Sequence, residues 1–197
     1  MSEPTGTRAS LLIRIRNPED REAWRQFVAL YAPLIHGLAR QRGLQDADAA
    51  DLTQEVLRAV AVAAPGLVYD PDRGSFRGWL YTVTCHKVHD FLHGRDYRNR
   101  GSGDSATHRL LEAQPAPADE ADRWERAYQR HLFALAADQV RDSFETATWQ
   151  AFWLVAVEGK SGEEAAKILG LSVGAVYVAK SRVLARLKKQ VQQLEAE

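Results

Sequence analysis

Residues 159–189 read GKSGEEAAKILGLSVGAVYVAKSRVLARLKK, and this stretch decides the kind of fold to expect. Ser161 and Glu164 have the spacing of a capping box, in which the serine caps a helix start and the glutamate returns the hydrogen bond. Gly170 is placed to end that helix in a left-handed turn, and Ser172 is placed to cap the next helix. Two helices joined by so short a glycine-containing turn form a helix-turn-helix.

The second helix of this pair is expected to bury one stripe and expose the other. Apolar residues recur at three- and four-residue steps, which predicts a buried stripe. That stripe is Val176, Ala179, Val183 and Leu187. Small residues early in the exposed face let a helix approach a DNA groove, and cationic residues can reach phosphates. The DNA-binding candidates are Ser172, Gly174, Ala175, Tyr177, Val178, Ser181, Arg182 and Arg186, with Lys180, Lys188 and Lys189 as further phosphate contacts.

Positively and negatively charged residues are concentrated in different segments of the chain. The net charge is zero, with 26 Lys and Arg against 26 Asp and Glu. Residues 165–194 nevertheless contain Lys and Arg but no acid, whereas acids cluster at 46–55 and 112–125. A cationic C-terminal end could neutralise phosphates while acidic stretches face a basic partner. An ordinary scatter of solvated charge is the alternative interpretation.

The N-terminal half has three stretches of helical period. The first follows Asn17, a capping residue that precedes a proline and acids; the second runs from about Asp46 to Ala63, and the third begins at Phe76. Three amphipathic helices of this length can share one core. Their predicted stripes are Trp24, Phe27, Val28, Tyr31, Leu34, Ile35 and Leu38; Ala49, Leu52, Val56 and Val60; and Phe76, Trp79, Leu80, Val83, Val88, Phe91 and Leu92.

Between Arg98 and Asp119 the apolar residues show no helical periodicity, and Gly, Ser, Pro and Ala predominate. We therefore interpret 98–119 as a flexible linker. Helical period resumes beyond it, and another helix is expected around 146–157. The stripe of the first helix after the linker is Trp124, Tyr128, Leu132 and Leu135. No β-alternation is present. The expected fold is all-α, with two small helical domains, 8–97 and 120–194, the second containing the helix-turn-helix.

Several classes of protein are excluded. A single cysteine, Cys85, cannot form an internal disulfide, and no CxxC pair suggests zinc. No apolar run has the length of a membrane span, and residues 1–7 lack the apolar stretch of a secretory signal. We therefore expect a cytoplasmic protein with no membrane partner.

A metal site is the main enzymatic alternative. His86, His89 and His93 are spaced so that they share one helical face, and Cys85 and Asp90 lie among them. A helical metal-dependent hydrolase would use such a cluster. No second group of ligands appears elsewhere, and a lone helix seldom completes a coordination shell. We expect no metal, no cofactor and no catalytic residue.

Three segments together resemble the extracytoplasmic-function (ECF) group of bacterial sigma factors. They are DADAADLTQEVL at 46–57, DPDRGSFRGWLYTVTCHKVHDFL at 70–92, and the stretch at 159–189, in the right order with a linker between them. The resemblance implies a factor that binds RNA polymerase core, at its clamp helices and flap, and promoter DNA. It also implies that the protein directs initiation without catalysis of its own.

The resemblance implies a role for each segment. The polymerase-binding residues would be Asp51, Leu52, Gln54 and Glu55, and exposed acids suit a basic partner helix. The loop 65–75 and the helix after it, with Arg77 and His86, would melt and read the −10 element, since a turn-rich loop beside aromatics suits an unstacked base. The helix from Ser172 would read the −35 element in the major groove.

Some questions stay open at this point. Cys85 and His86 stand where many relatives have Arg-Asn, so His86 either captures a promoter base or only faces solvent. Trp79 is either a core residue or a strand-separating wedge. Control by an anti-sigma protein or a regulatory kinase is compatible with the resemblance. A helix-turn-helix regulator that never meets polymerase, with the N-terminal helices as a dimer or sensor module, is the remaining alternative.

Overall fold

The structure is a computed structural model that describes residues 9–66, 75–93 and 118–196. Within these ranges every regular element is helical, which confirms the predicted all-α fold. The helices are α1 (Ala9–Arg14), α2 (Arg21–Gln41), α3 (Asp46–Ala63), α4 (Phe76–His93), α5 (Ala118–Arg141), α6 (Thr146–Ala156), α7 (Gly162–Leu169) and α8 (Val173–Ala196), with a 3₁₀ turn at Ala64–Gly66.

The chain forms two compact units, one reaching to His131 and the other covering Leu132–Glu195. The division falls inside α5, so the first unit contains α1 to α4 with the first half of α5. The second unit contains the rest of α5 with α6, α7 and α8. Of the expected linker 98–119, only residues 118 and 119 lie within the described residues, and they begin α5.

The first unit is built on α2, α3 and α4, which pack against one another. The predicted stripe of α3 is entirely buried. In α2 the buried face is centred on Phe27, Tyr31 and Leu34, so Val28 falls at its margin and is 39% exposed. In α4 the stripe is buried up to Val88 except for Trp79, which is partly buried, whereas Phe91 and Leu92, predicted on the same face, are exposed.

The start of α2 differs from the prediction. Asp20, not Asn17, is the N-cap: its carboxylate accepts a hydrogen bond from the Ala23 amide at 3.0 Å. Arg14 donates to the same carboxylate at 2.9 Å, and these hydrogen bonds lower the pKa of Asp20. Asn17 instead caps a turn by accepting from the amide two residues on. The short helix α1, which supplies Arg14, was not predicted.

The second unit has two apolar clusters that share α6 and α8. The first joins α5, α6 and the later part of α8, and the second joins α6, α7 and the early part of α8. Their buried members are Ala136, Ala137, Val140, Phe152, Val183 and Leu187 in the first, and Ala151, Ala165, Ala166, Val176 and Ala179 in the second. The small side chains of the second cluster allow α7 and α8 to approach closely.

Apolar residues in the described helices form stripes rather than long continuous runs. No single helix in the described ranges is long and apolar enough to cross a membrane. The pair α7 and α8 reaches that length and composition only when counted together, and it is bent by 102°.

Candidate nucleic-acid interface

The start and end of α7 are fixed by local hydrogen bonds. The Ser161 hydroxyl accepts from the Glu164 amide at 3.1 Å, and the Glu164 carboxylate accepts from the Ser161 amide at 2.8 Å. The backbone hydrogen bond from Ser161 lowers the pKa of Glu164. Gly170 follows α7 with φ +66°, in the left-handed region. The predicted capping box and glycine turn are therefore confirmed.

The beginning of α8 is capped in the same local way. The Ser172 hydroxyl accepts from the Ala175 amide at 3.2 Å, as predicted. The predicted inner stripe is buried, with Val176 and Val183 fully enclosed. Because this stripe packs on α6 and α7, the rotation of α8 about its own axis is fixed. One face of α8 is therefore held outward.

The outward face of α8 carries the predicted DNA-binding set. All of these candidates except Lys180 are exposed, and Tyr177 and Val178 are 50% and 59% exposed. The exposed members are Ser172, Gly174, Ala175, Tyr177, Val178, Ser181, Arg182, Arg186, Lys188 and Lys189, while Lys180 is half-buried. An exposed tyrosine and valine among small residues and cations suit contact with base edges and phosphates.

An apolar groove in the second unit was not predicted from the sequence. It has a volume of about 730 Å³ and is lined chiefly by Trp149, Trp153, Phe133, Ile168 and Leu169. Charged residues border it, among them Arg141 and Glu158. The signal available in the sequence was the i, i+4 pair of tryptophans in α6, but the groove needs α5, α6 and α7 together.

The acidic face of α3 is only partly as predicted. Asp51, Gln54 and Glu55 are exposed, and Glu55 has Lys87 at 4.0 Å. Leu52 is 1% exposed, because it belongs to the buried stripe of the same helix. Its side chain therefore packs in the core and is not available to a partner, which corrects the expectation that Leu52 contacts polymerase.

Arg77, which the sequence predicts to contact the −10 element, is instead buried in the first unit. Its side chain is buried, and its Nε and Nη2 donate to the Glu125 carboxylate at 2.6 and 2.9 Å. The guanidinium lies 4.3 Å from the centre of the Tyr128 ring. Burial alone would lower the pKa of Arg77, but the hydrogen bonds and charge of Glu125 raise it. In this structure Arg77 cannot reach DNA, because α5 covers it.

The first half of α5 makes further contacts within the first unit. The rings of Tyr31 and Tyr128 stack with centroids 5.8 Å apart. Arg42 pairs with Glu120 at 3.1 Å, and the Tyr81 hydroxyl donates to the same carboxylate. Aromatic stacking and ion pairs thus hold this half of α5 against α2 and α4.

The remaining candidates lie on α4 or near it. His86 is exposed, and Cys85 is half-buried, which raises the pKa of its thiol. Trp79 is partly buried, with its ring centroid 5.3 Å from that of Phe76.

Residues 67–74 of the expected melting loop and the side chain of His93 lie outside the described residues. In the part of the chain that the structure describes, no group of three or more His, Cys, Asp or Glu could hold a metal ion.

The fold and the outward face of α8 define the class of protein. The second unit is a helix-turn-helix whose second helix presents small, aromatic and cationic residues, and it follows a helical unit with exposed acids on α3. This arrangement is that of a helix-turn-helix DNA-binding protein.

Comparison with known proteins defines the family. Residues 27–97 match Sigma-70 region 2, and residues 149–187 match Sigma-70 region 4. The chain is 30% identical over 168 residues to the RNA polymerase sigma factor CnrH of Cupriavidus metallidurans, covering 85% of this chain and 86% of that protein. It is 31% identical over 186 residues to the ECF RNA polymerase sigma factor SigD of Mycobacterium tuberculosis, covering 87% and 78%.

A solved structure of CnrH in complex with the cytosolic domain of CnrY is also similar, with 24% identity, a TM-score of 0.35, and coverage of 93% of this chain and 97% of that one. From the two region matches and the relatives, the chain belongs to the ECF group of RNA polymerase sigma factors. It binds RNA polymerase core and promoter DNA, and it directs promoter-specific initiation. The prediction from the three motifs is confirmed, and the polymerase-independent regulator and the metal-dependent enzyme are not favoured.

The buried pair of Arg77 and Glu125 gives a first prediction. Glu125→Ala leaves a guanidinium buried without its carboxylate, which should lower the local stability of residues 118–131 by about 1–3 kcal/mol. The lower end is expected because Glu125 is itself about a third exposed. Native-state hydrogen exchange of the α5 amides measures this change.

The control for this variant is Asp122→Ala, which removes an exposed carboxylate from the same helix. It should leave the protection of residues 118–131 nearly unchanged. Equal exchange rates in the two variants would show that the Arg77–Glu125 pair does not hold this half of α5.

Proposed function

We propose that this sigma factor reads the −35 element with the outward face of α8 and grips core polymerase through the exposed acids of α3. The observation that carries the proposal is the face of α8, where Tyr177 and Val178 are exposed on a helix whose opposite side is fully buried. Exposed apolar side chains grouped beside a row of cations are typical of an interaction surface.

The geometry of α8 suits the major groove, which is about 12 Å wide and admits a helix. Gly174 and Ala175 near the helix start allow close approach of the backbone. Tyr177, Val178 and Ser181 can then reach base edges. The cations further along, Arg182, Arg186, Lys188 and Lys189, can neutralise phosphates on either side of the groove.

The contact with the clamp helices is proposed for Asp51, Gln54 and Glu55. These side chains are exposed, and the ion pair of Glu55 with Lys87 is long and solvated, so it contributes little. A basic partner helix can therefore replace Lys87 as the partner of Glu55 with little loss of free energy. Leu52 supports this surface only by packing beneath it.

The apolar groove lined by Trp149 and Trp153 is proposed as a second contact, where an apolar helix of the polymerase flap would lie. A groove of about 730 Å³ with tryptophan walls fits such a helix. An anti-sigma protein that buries the same tryptophans would compete with polymerase for this groove, and we propose this as a route of regulation.

For the −10 element we propose a role for His86 but not for Arg77. His86 is exposed on α4, and a neutral imidazole offers one donor and one acceptor on opposite sides of its ring. It could therefore pair with a base edge where relatives commonly use Asn.

We also propose the functional division expected from the sequence, with polymerase and −10 contacts in 8–97, a linker at 98–119 and −35 recognition in 120–194. In the structure the first half of α5, up to His131, packs in the first compact unit. The protein would act in the cytoplasm, where promoter DNA and polymerase are, and would have no catalytic activity of its own.

Charge reversal tests the clamp contact. Asp51→Lys combined with Glu55→Lys should weaken binding to core polymerase about tenfold or more, because like charges would then face a basic partner. Surface-immobilised core and equilibrium titration measure the affinity, and far-UV circular dichroism checks the fold.

The matched control is Glu19→Lys with Glu22→Lys, which changes the net charge equally at exposed positions before and in the first turn of α2. It should retain core affinity. A double reversal at Asp51 and Glu55 that binds core as tightly as this control would remove the acidic face of α3 from the interface.

Different residues of α8 are expected to affect different properties of DNA binding: sequence preference or overall affinity. Tyr177→Ala should change which −35 sequences are preferred, whereas Lys188→Ala and Lys189→Ala should weaken binding to all sequences. Each lost phosphate contact should also reduce the slope of log affinity against log salt by about one. Holoenzyme binding to a randomised −35 library at several salt concentrations measures both effects. A uniform loss from Tyr177→Ala, with unchanged preference, would contradict the assignment of α8 as the reader.

A further inference from the structure

Gly162, the first residue of α7, is covered by the side chain of Tyr177 from α8. A Cβ atom at position 162 would lie 2.7 Å from Cζ of Tyr177 and 2.8 Å from both its Cε2 and its hydroxyl oxygen. Of the glycines in the described ranges, Gly162 alone would bring a Cβ within 3 Å of another atom. The end of the tyrosine ring therefore occupies the space that any other residue would fill.

The backbone does not require glycine at this position. The glycines with positive φ in the described ranges are Gly43, Gly159 and Gly170, so Gly162 has a conformation open to any L-residue. Alanine has the higher helix propensity, and the Ser161 cap is independent of the side chain at 162. What requires glycine here is the ring of Tyr177.

We propose that Gly162 is a positioning residue that sets the location of the Tyr177 hydroxyl on the outward face of α8, and thereby the −35 preference. This inference rests on the proposed reading role of Tyr177. Helical side chains lean towards the N-terminus of their helix. The ring of Tyr177 accordingly leans against the start of α7, and the residue as a whole stays 50% exposed.

The size of the effect follows from the distances. Carbon atoms in contact are normally about 3.5–4.0 Å apart, so a Cβ at position 162 would displace the ring end by about 1 Å. A hydrogen bond tolerates only about half an ångström of variation in length. A displacement of this size is enough to break or redirect a hydrogen bond from the hydroxyl to a base edge.

The same displacement should lower the stability of the folded domain only slightly. The atoms that would meet the new Cβ are the far end of a side chain with free space on its solvent side. The ring can turn away without moving the backbone of either helix. Gly162→Ala should therefore leave the domain folded and change the position of one reading side chain.

The test is a double-mutant cycle of the full chain bound to core polymerase. The proteins are the wild type, Gly162→Ala, Tyr177→Ala and the double variant, with Tyr177→Phe as a variant that keeps the ring and removes the hydroxyl. Each holoenzyme selects from a library randomised in the −35 element, and thermal unfolding is measured for each protein. Gly37→Ala is the matched control, because a Cβ there would meet nothing within 4 Å.

We expect Gly162→Ala to change relative −35 preference by about fivefold or more, at the base pairs where Tyr177→Phe also changes it. Its Tm should stay within about 4 °C of the wild type. In the Tyr177→Ala background, Gly162→Ala should have no further effect on preference. Gly37→Ala should leave preference unchanged.

Two results would overturn the inference while leaving the reading role of α8 intact. One is unchanged preference in Gly162→Ala when Tyr177→Ala does change it. The other is an equal effect of Gly162→Ala with and without Tyr177, which would make the glycine independent of the ring. If Tyr177→Ala itself left the preference unchanged, the reading role of Tyr177 would fail, and the inference with it.

Discussion

The short turn between α7 and α8 is the constraint on which the outward face of α8 depends. Gly170 adopts φ +66°, which allows α7 to end abruptly, and Ser172 caps α8 only two residues later. Small buried residues on α7 and on the inner side of α8 then pack closely. Because this packing leaves α8 one rotational setting, the same constraint that buries Val176 holds Tyr177 outward. The orientation of the proposed reading face thus depends on the turn at Gly170.

The first unit depends on a different interaction, the buried pair of Arg77 and Glu125. A guanidinium removed from water needs a carboxylate, and Glu125 supplies one with two short hydrogen bonds. The stacking of Tyr31 on Tyr128 adds apolar area beside the charges. These contacts account for the placement of the first half of α5 with α2 and α4. They also explain why Arg77, in the first turn of α4, has a structural role in this chain.

Features that depend on near neighbours were predictable from the sequence, and features that depend on distant ones were not. The caps at Ser161 and Ser172 and the stripe of α8 follow from spacings of three and four residues, so they were predicted correctly. The burial of Arg77 depends on a residue 48 positions away, and no local pattern indicates it. Asp20 rather than Asn17 caps α2, and its carboxylate is also bound by Arg14 of an unpredicted helix. Leu52 belongs both to an apolar stripe, which predicts burial, and to an acidic motif, which predicts contact with a partner. In the structure its side chain is buried with the stripe.

We propose that two separate surfaces of this chain, one on each compact unit, together confer promoter choice on RNA polymerase. Run-off transcription with purified core polymerase and a library of genomic fragments tests it most directly. The protein should direct initiation from a restricted set of templates that share both a −10 and a −35 element, and mutation of either element should abolish the transcript. Initiation that is unchanged by the protein, or that depends on one element alone, would show that the two surfaces do not act together in promoter choice.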